Sequence, residues 1–368
     1  MRNTKFKKIT LSGLALISLL AVAVYLGLNK NQGRKFPPDS AEWQAAELML
    51  QAEKATFACE QRKGLQPEKN HFDPNHTGLI GLEQSELTTT LGRLEAKRTT
   101  TNPNLAALLV RLLKEAGIKP GDSVAVAASG SFPALLLAAV CAGHSLNLDL
   151  MLIVSVGASQ WGANHPEFTV LEMLACWREA GLDRYRLLAV SWGGEDNSGR
   201  EYPEKIQRKI RDRAREMGLK ILEPRPLSLM VREQAALFQE SARGPLKAFI
   251  NIGGNLVCLG LDSSVLELKP GLTRVKKIPP AETRGLIQEM ASQGLPVIHL
   301  LNIQGLVNRY GLPWDPQPLP RPGQVLSLKE TEQEKTWLRR IFVLYVLGSA
   351  LFVACCYFIH KRHGQKVL

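Results

Sequence analysis

Cysteine is scarce in this sequence, and its spacing excludes a densely cross-linked scaffold. Six cysteines occur among 368 residues, and no two of them form the CxxC spacing. Cys355 and Cys356 fall within an apolar run near the carboxyl terminus. Cys141, Cys176 and Cys258 lie in apolar helix or strand contexts. We expect these three to be small buried hydrophobic side chains, with a disulfide or a zinc site as the alternatives.

Several motifs of nucleotide-binding proteins, serine hydrolases and metal-dependent enzymes are also missing. No lysine follows a glycine-rich loop as in the Walker A motif, and Gly253-Gly254-Asn255 does not extend to G-x-G-x-x-G. The G-x-S-x-G frame of serine hydrolases is absent around Ser129-Gly130-Ser131. His71, Asp73 and His76 lie close together without the helical register of HExxH, which favours a surface turn over a metal site. We therefore predict no cofactor and no metal.

Acidic residues are absent from both ends of the chain. Residues 1–35 and 336–368 hold 12 of the 46 basic residues and no Asp or Glu, so residues 36–335 carry 34 basic and 34 acidic residues. The formal net charge of +12 therefore belongs to the two ends. A neutral middle excludes a nucleic-acid-binding surface and a surface that wraps a long polyanion. It remains compatible with a pocket for one acidic group.

Two long apolar runs without charge lie inside these basic ends. They cover residues 9–28 and 341–359, and each is close to the ~20 residues that span a bilayer as a helix. The first run stays apolar beyond Ala21-Val22-Ala23, which favours an uncleaved signal anchor over a cleaved signal peptide. Short basic flanks favour the cytoplasm. We expect two transmembrane helices in the cell membrane's lipid bilayer, cytoplasmic termini and an extracytoplasmic main domain.

The residues between the two apolar runs divide into three predicted segments. Residues 36–117 form a helical and threonine-rich lead-in, in which Ser40 caps a helix that runs to about Lys63. Residues 118–310 form an α/β domain, and the proline-rich residues 311–335 form an extended linker to the second membrane segment.

Short β-rich runs alternate with helical patterns in the middle of the chain. Such alternation predicts an α/β fold with a mostly parallel, doubly wound sheet covered on both faces. The candidate strands are residues 123–128, 148–154, 186–190, 219–222, 247–252 and 296–300. The candidate helices are residues 134–142, 167–180, 203–217, 230–241 and 282–292.

Polar, glycine-containing sequence follows four of these candidate strands. Because the carboxyl ends of parallel strands meet at one edge, we expect the four loops to form a ligand crevice there. Lys97 or Arg98 of the threonine-rich stretch would add positive charge for a carboxylate or phosphate. The predicted ligand-binding residues are Ser129, Gly130, Ser131, Ser159, Trp161, Asn164, Asn251, Gly253, Gly254 and Lys97.

The same region offers candidates for catalysis, and the sequence leaves open whether the protein is an enzyme. Ser129 or Ser131 would act as a nucleophile, with His165 as a base. Glu195 and Asp196 form a carboxylate pair that would serve acid–base or metal chemistry. The simpler interpretations are that His165 caps a turn and that the two carboxylates lie in a solvated loop.

Several short motifs give the chain a family resemblance, which is strongest over residues 78–255. These motifs are GLIG, TTTLG, AKRTTTNPN, SGSFPAL, GASQWGAN, GGEDN and NIGG. With the paired membrane segments, they resemble the poly-gamma-glutamate system protein family (PgsW-like), which is encoded beside the ligase and membrane components that make this anionic polymer. No catalytic residues of the family are available to carry over.

The resemblance implies a pathway rather than a reaction. It implies a membrane-anchored accessory protein of capsule biosynthesis and export, with the other synthesis subunits and the anionic polymer or its end as partners. We therefore expect the crevice to bind a small acidic ligand or a polymer end. The alternative is a serine-dependent amide hydrolase or transferase that acts on the γ-linked polymer.

Overall fold

The computed structural model describes residues 36–323, together with isolated positions 21, 340, 343, 345, 347–349, 351 and 354. Residues 36–323 belong to one compact unit. None of the helices in the described part of the chain is long and apolar enough to cross a bilayer. The transmembrane helices predicted at residues 9–28 and 341–359 lie outside the described residues, apart from those isolated positions.

Helices and strands alternate through most of residues 36–323. The helices are α1 (Ala41–Arg62), α2 (Leu94–Thr100), α3 (Asn104–Glu115), α4 (Pro133–Ser145), α5 (Val170–Glu179), α6 (Glu204–Glu216), α7 (Leu227–Ser241), α8 (Leu256–Leu259), α9 (Leu286–Ser292) and α10 (Ile303–Tyr310). The strands are β1 (Thr88–Thr90), β2 (Ser123–Ser129), β3 (Asp149–Ser155), β4 (Ala158–Ser159), β5 (Asn164–His165), β6 (Phe168–Thr169), β7 (Arg186–Ser191), β8 (Lys220–Leu222), β9 (Leu246–Ile252), β10 (Gly271–Thr273) and β11 (Val297–Leu300).

A seven-stranded sheet forms the centre of the unit, in the order β10-β11-β9-β2-β3-β7-β8. Neighbouring strands are parallel except for β10, which runs antiparallel to β11 at one edge. Both β2 and β3 are buried along their whole length, as their continuous apolar sequences indicate for strands covered on both faces. The prediction of an α/β fold with a mostly parallel sheet is confirmed.

The direction of winding changes at β2. From β2 the chain moves outward through β3, β7 and β8, and then returns to place β9 and β11 on the opposite side of β2. The connections on the two sides of β2 therefore diverge, which leaves a crevice beyond the carboxyl ends of β2 and its neighbours. In open parallel sheets this switch point is the usual place for a ligand.

Helices cover both faces of the sheet. On one face, α1 packs with α3 and α4, and its Ala45, Ala46 and Met49 are fully buried. On the other face, α7 and α9 contribute to a core with side chains of β2, β3 and β9. The side chain of Ser40 accepts a hydrogen bond from the main chain of Trp43 and caps α1 as predicted. The lead-in thus belongs to the same compact unit as the α/β segment.

Part of the threonine-rich stretch forms α2 and is buried. The hydroxyls of Thr99, Thr100 and Thr101 donate hydrogen bonds to main-chain carbonyls three or four residues earlier, at 2.6–2.8 Å. These bonds satisfy the hydroxyls without water, so the threonines can be buried in a helix despite their low helix propensity.

The proline-rich segment differs from prediction over its described part. Asp315 receives two hydrogen bonds from the guanidinium of Arg98, at 2.6 and 2.7 Å. The main-chain N–H of Asp315 donates to Thr99 Oγ1, and that of Gly323 donates to Asn104 Oδ1. Residues 311–323 are therefore packed against the unit and do not serve as an extended spacer. Residues 324–335 of the predicted linker lie outside the described residues.

A disulfide between Cys59 and Cys176 joins α1 to α5 across 117 residues of sequence. Cys176 is buried as predicted, but it is not a free thiol: the packing of α1 against α5 brings it to Cys59 in a disulfide, which the sequence left open as an alternative. Cys141 and Cys258 are free and buried, as predicted.

Candidate functional site

A cavity of about 430 Å³ lies beyond the carboxyl ends of β2, β3, β7 and β9. We call it the first chamber, and its lining includes Ser129, Ser131, Ser155, Gly193, Glu195 and Gly254. Each of the four predicted strand-end loops contributes to its walls, through Ser131, Gly157, Glu195 and Gly254. They meet here because their strands are parallel neighbours, whose carboxyl ends lie at one edge of the sheet.

A second cavity, of about 540 Å³, adjoins the first. We call it the second chamber, and its lining includes Arg93, Lys97, Phe132, Ser159, Asn302 and Trp314. Thr90, Ser131, Gly254 and Leu259 line both chambers. The threonine-rich stretch, with β1 and α2, therefore forms one wall of the crevice, and Ser131 stands where the two chambers meet.

Two buried hydroxyls in the first chamber have no hydrogen-bond partner among the described residues. Ser129 and Ser155 are 4% and 1% exposed, and Oγ of each is unpartnered. The two serines are paired in register at the ends of β2 and β3. A buried hydroxyl without a partner costs about 1–3 kcal/mol, so this pair favours a polar ligand that bonds to both groups.

Glycines keep the loops close to these hydroxyls. Gly253 has φ of +83°, and a Cβ at this position would overlap Oγ of Ser129. A Cβ at Gly130 would lie 2.7 Å from the carbonyl oxygen of Val156. Gly253 and Gly130 therefore shape the crevice through backbone packing, whereas Gly254 lines it directly.

Lys97 is the buried cationic residue of the second chamber. Its side chain extends from α2, and the residue is 2% exposed. The Nζ atom is 2.6 Å from Ser159 Oγ, donates to the carbonyl oxygen of Ser131, and lies 3.9 Å from the centroid of the Phe132 ring. No carboxylate of the described residues forms an ion pair with it, and burial lowers the pKa of Lys97 to about 7.

Ser159 and Ser131 are linked to each other as well as to Lys97. The main-chain N–H of Ser159 donates to Ser131 Oγ at 3.0 Å. Ser159 itself lies in β4, which pairs with β1 in parallel. The three residues thus form a connected polar group, in which the position of Ser159 is set by both a strand pairing and a loop contact.

Asn164, Asn251 and Trp161, which were predicted to bind a ligand, line neither chamber. Asn164 is fully buried and bonds to both main-chain groups of Leu82 and to Thr88 Oγ1, at 2.8–2.9 Å. Asn251 Nδ2 donates to the carbonyl oxygen of Gly253 and lies 3.1 Å from His299 Nδ1. Trp161 packs against the Phe72 ring. Asn164 fastens one loop to another, so its polar groups are not free for a ligand.

The predicted catalytic partners do not assemble around Ser129 or Ser131. Glu195 lines the first chamber but is exposed, and the exposed Asp196 accepts a hydrogen bond from the main chain of Ser198. His165 lies in β5, where its Nδ1 accepts from the main chain of Glu167. Burial lowers the pKa of His165. It caps a turn and lines neither chamber, so no described histidine serves as a base for these serines.

Ser155 and Arg93 line the crevice but are not among the predicted ligand-binding residues. Ser155 ends an apolar strand as Ser129 does, and this parallel was the available signal. Arg93 gave no such signal, because it precedes a helix that was not predicted. Its guanidinium lies 5.1 Å from the Trp314 ring and donates to Gln304.

The described residues therefore form a mixed α/β unit with a ligand-sized crevice at the switch point of a mostly parallel sheet. Comparison with known proteins found no matching family model and no match among curated proteins.

Proposed function

We propose that this protein is a membrane-anchored component of a poly-γ-glutamate synthesis or export system. Its α/β unit binds a small acidic ligand or a polymer end in the two chambers. The observation that carries the binding proposal is the pair of buried, unpartnered hydroxyls of Ser129 and Ser155 at the switch point. The pathway and the membrane anchorage are supported by the sequence motifs and by the two charge-free apolar runs.

The chemistry of the crevice fits a γ-linked glutamyl group. Such a group carries a carboxylate and an amide, which require a positive charge and several hydrogen-bonding groups. Arg93 supplies a permanent charge at the exposed side of the second chamber, where its guanidinium also forms a 3.6 Å ion pair with the exposed Glu95. The hydroxyls of Ser129, Ser131 and Ser155 supply hydrogen bonds in the first chamber.

The dimensions of the crevice favour a chain end over a wrapped polymer. Chambers of about 430 and 540 Å³ are suited to one small ligand. The equal numbers of basic and acidic residues in the middle of the chain also disfavour a surface that holds a long polyanion.

The disulfide supports the extracytoplasmic placement of the unit. Disulfides such as Cys59–Cys176 form and persist mainly in oxidising compartments, and they are rare in the cytosol. This agrees with the orientation expected from the basic flanks of the apolar runs, in which both termini are cytoplasmic.

Calorimetric titration of the full-length protein in detergent with tri-γ-glutamate tests the binding proposal. We expect Ser129→Ala and Ser155→Ala each to weaken binding about five- to tenfold, because each removes one hydrogen bond. Arg93→Gln is expected to weaken it about tenfold or more. Ser292→Ala and Arg62→Gln, which change exposed residues outside both chambers, are the matched controls. Failure of the wild-type protein to bind the oligomer would overturn the proposal.

A further inference from the structure

The contact between Lys97 and Ser159 has the geometry of a base and a nucleophile. The Nζ and Oγ atoms are 2.6 Å apart, which is hydrogen-bond distance. Both atoms are held in place, because Nζ also bonds to the Ser131 carbonyl oxygen and the Ser159 main chain is fixed by Ser131 Oγ. Both residues line the second chamber, so a ligand there would lie beside the pair.

The surroundings of Lys97 favour an amine that gains and loses a proton. A lysine that is paired with a carboxylate stays protonated and cannot act as a base. Lys97 has no such pair among the described residues, and its burial destabilises the ammonium form. The Phe132 ring, 3.9 Å from Nζ, favours the ammonium once it has formed. Burial thus favours the neutral amine, and the ring contact favours the ammonium.

We propose that Ser159 and Lys97 form a nucleophile–base pair that transfers acyl groups from an amide or ester bound in the second chamber. Lysine serves as the base for a serine nucleophile on several unrelated folds. The pair goes beyond the proposed binding function. If the ligand is the proposed γ-glutamyl chain, the bond attacked is its amide. Only this identity of the substrate rests on the proposed function.

The reaction has two balanced steps. Ser159 Oγ attacks the carbonyl carbon while its proton passes to Lys97 Nζ. The carbon–nitrogen bond breaks as the Lys97 ammonium returns that proton to the departing amine, and an ester on Ser159 remains. In the second step, water or another amine attacks this ester, and Lys97 accepts a proton from the attacking molecule. Lys97 then passes this proton to Ser159 Oγ as the ester bond breaks, which restores the hydroxyl.

Ser131 has a positioning role in this scheme. Its Oγ accepts the Ser159 N–H, so its own hydrogen remains available to donate to a ligand at the boundary of the chambers. By contrast, the orphaned Ser129 hydroxyl has no base within hydrogen-bond distance among the described residues, so it serves binding and not attack.

Acylation by p-nitrophenyl acetate, followed by peptide mass spectrometry, tests the pair in the full-length protein in detergent. We expect an acetyl group on Ser159, none at that position in Ser159→Ala, and a rate at least about a hundredfold lower in Lys97→Met. The wild-type rate should rise as the pH increases through about 7. Lys119→Met and Ser292→Ala, which change exposed residues, should acylate as the wild type does.

Circular dichroism of each variant separates lost chemistry from lost folding. If Lys97→Met does not fold, Lys97→Arg provides the second measurement, because it keeps a cation at the site that cannot accept the Ser159 proton, and its acylation rate should also be at least about a hundredfold lower. An absence of acetyl-Ser159 in the wild type, or an equal rate in folded Lys97→Met, would overturn the proposal. The probe contains no glutamate, so acylation without binding of tri-γ-glutamate would refute only the proposed function. Binding without acylation would refute only the pair.

Discussion

Gly253 lies directly against Ser129. The Ser129 hydroxyl occupies the space that a side chain at position 253 would need. Gly253 follows β9 with φ of +83°, and any Cβ there would overlap Ser129 Oγ. The turn after β9 thus positions the Ser129 hydroxyl at the end of the neighbouring strand β2. This relationship makes the geometry of the first chamber depend on a residue that need not touch a ligand.

Gly253→Ala should therefore impair both stability and binding. We expect a loss of about 1–2 kcal/mol from the positive φ alone, with a further loss from the overlap with Ser129. Affinity for tri-γ-glutamate should fall as the hydroxyl is displaced. Gly294→Ala is the matched control, because Gly294 has φ of +80° but no atoms near its Cβ position. Denaturant unfolding and calorimetry measure the two effects, and equal losses in both variants would contradict the overlap.

The buried amine of Lys97 should make stability depend on pH. Its folded pKa, about 7, lies below the value of 10.5 for an unhindered lysine. Between these values the unfolded chain binds more protons, so this contribution to stability rises with pH by about 1.4 kcal/mol per pH unit. The contribution of Lys97 to stability is least favourable below pH 7. The difference in unfolding free energy between wild type and Lys97→Met, measured from pH 7 to 10, should show this slope. A difference that is independent of pH would contradict it.

The pair Arg98–Asp315 should hold the proline-rich segment against α2. Its side chains are 16% and 17% exposed and are joined by two hydrogen bonds. We expect Arg98→Gln to destabilise the protein by about 1–3 kcal/mol and to expose residues 311–323 to proteases. The exposed pair Arg208–Glu204 is the control, and Arg208→Gln should cost about 0.5 kcal/mol or less. Unchanged proteolysis in Arg98→Gln would show that other contacts hold the segment.

Removal of the disulfide should weaken the attachment of α1 to α5. We expect Cys59→Ala to reduce the free energy of unfolding by about 2–5 kcal/mol. Cys176→Ala and the double variant should show nearly the same loss, because either change removes the same bond. Thiol alkylation without reductant, followed by mass spectrometry, checks the pairing. Modification of Cys59 in the unreduced wild-type protein would contradict it.

The candidate site was predicted only in part. The strand-end loops follow from sequence, since alternating patterns identified the parallel strands and their carboxyl ends must share an edge. The roles of individual residues did not follow. Asn164 and Trp161 have side chains suited to a ligand, yet they connect loops. Lys97 and Arg98 are adjacent in sequence, but only Lys97 enters the crevice, whereas Arg98 pairs with Asp315.

The sequence by itself determined the kinds and order of the main helices and strands, the neutral middle of the chain and the basic ends, because hydrophobic periodicity and charge are local properties. Tertiary structure alone decided which distant groups meet. Lys97 and Ser159 are 62 residues apart, and Cys59 and Cys176 are 117 apart. Such contacts depend on how helices pack on the sheet and how loops cross its edge, so no local pattern encodes them.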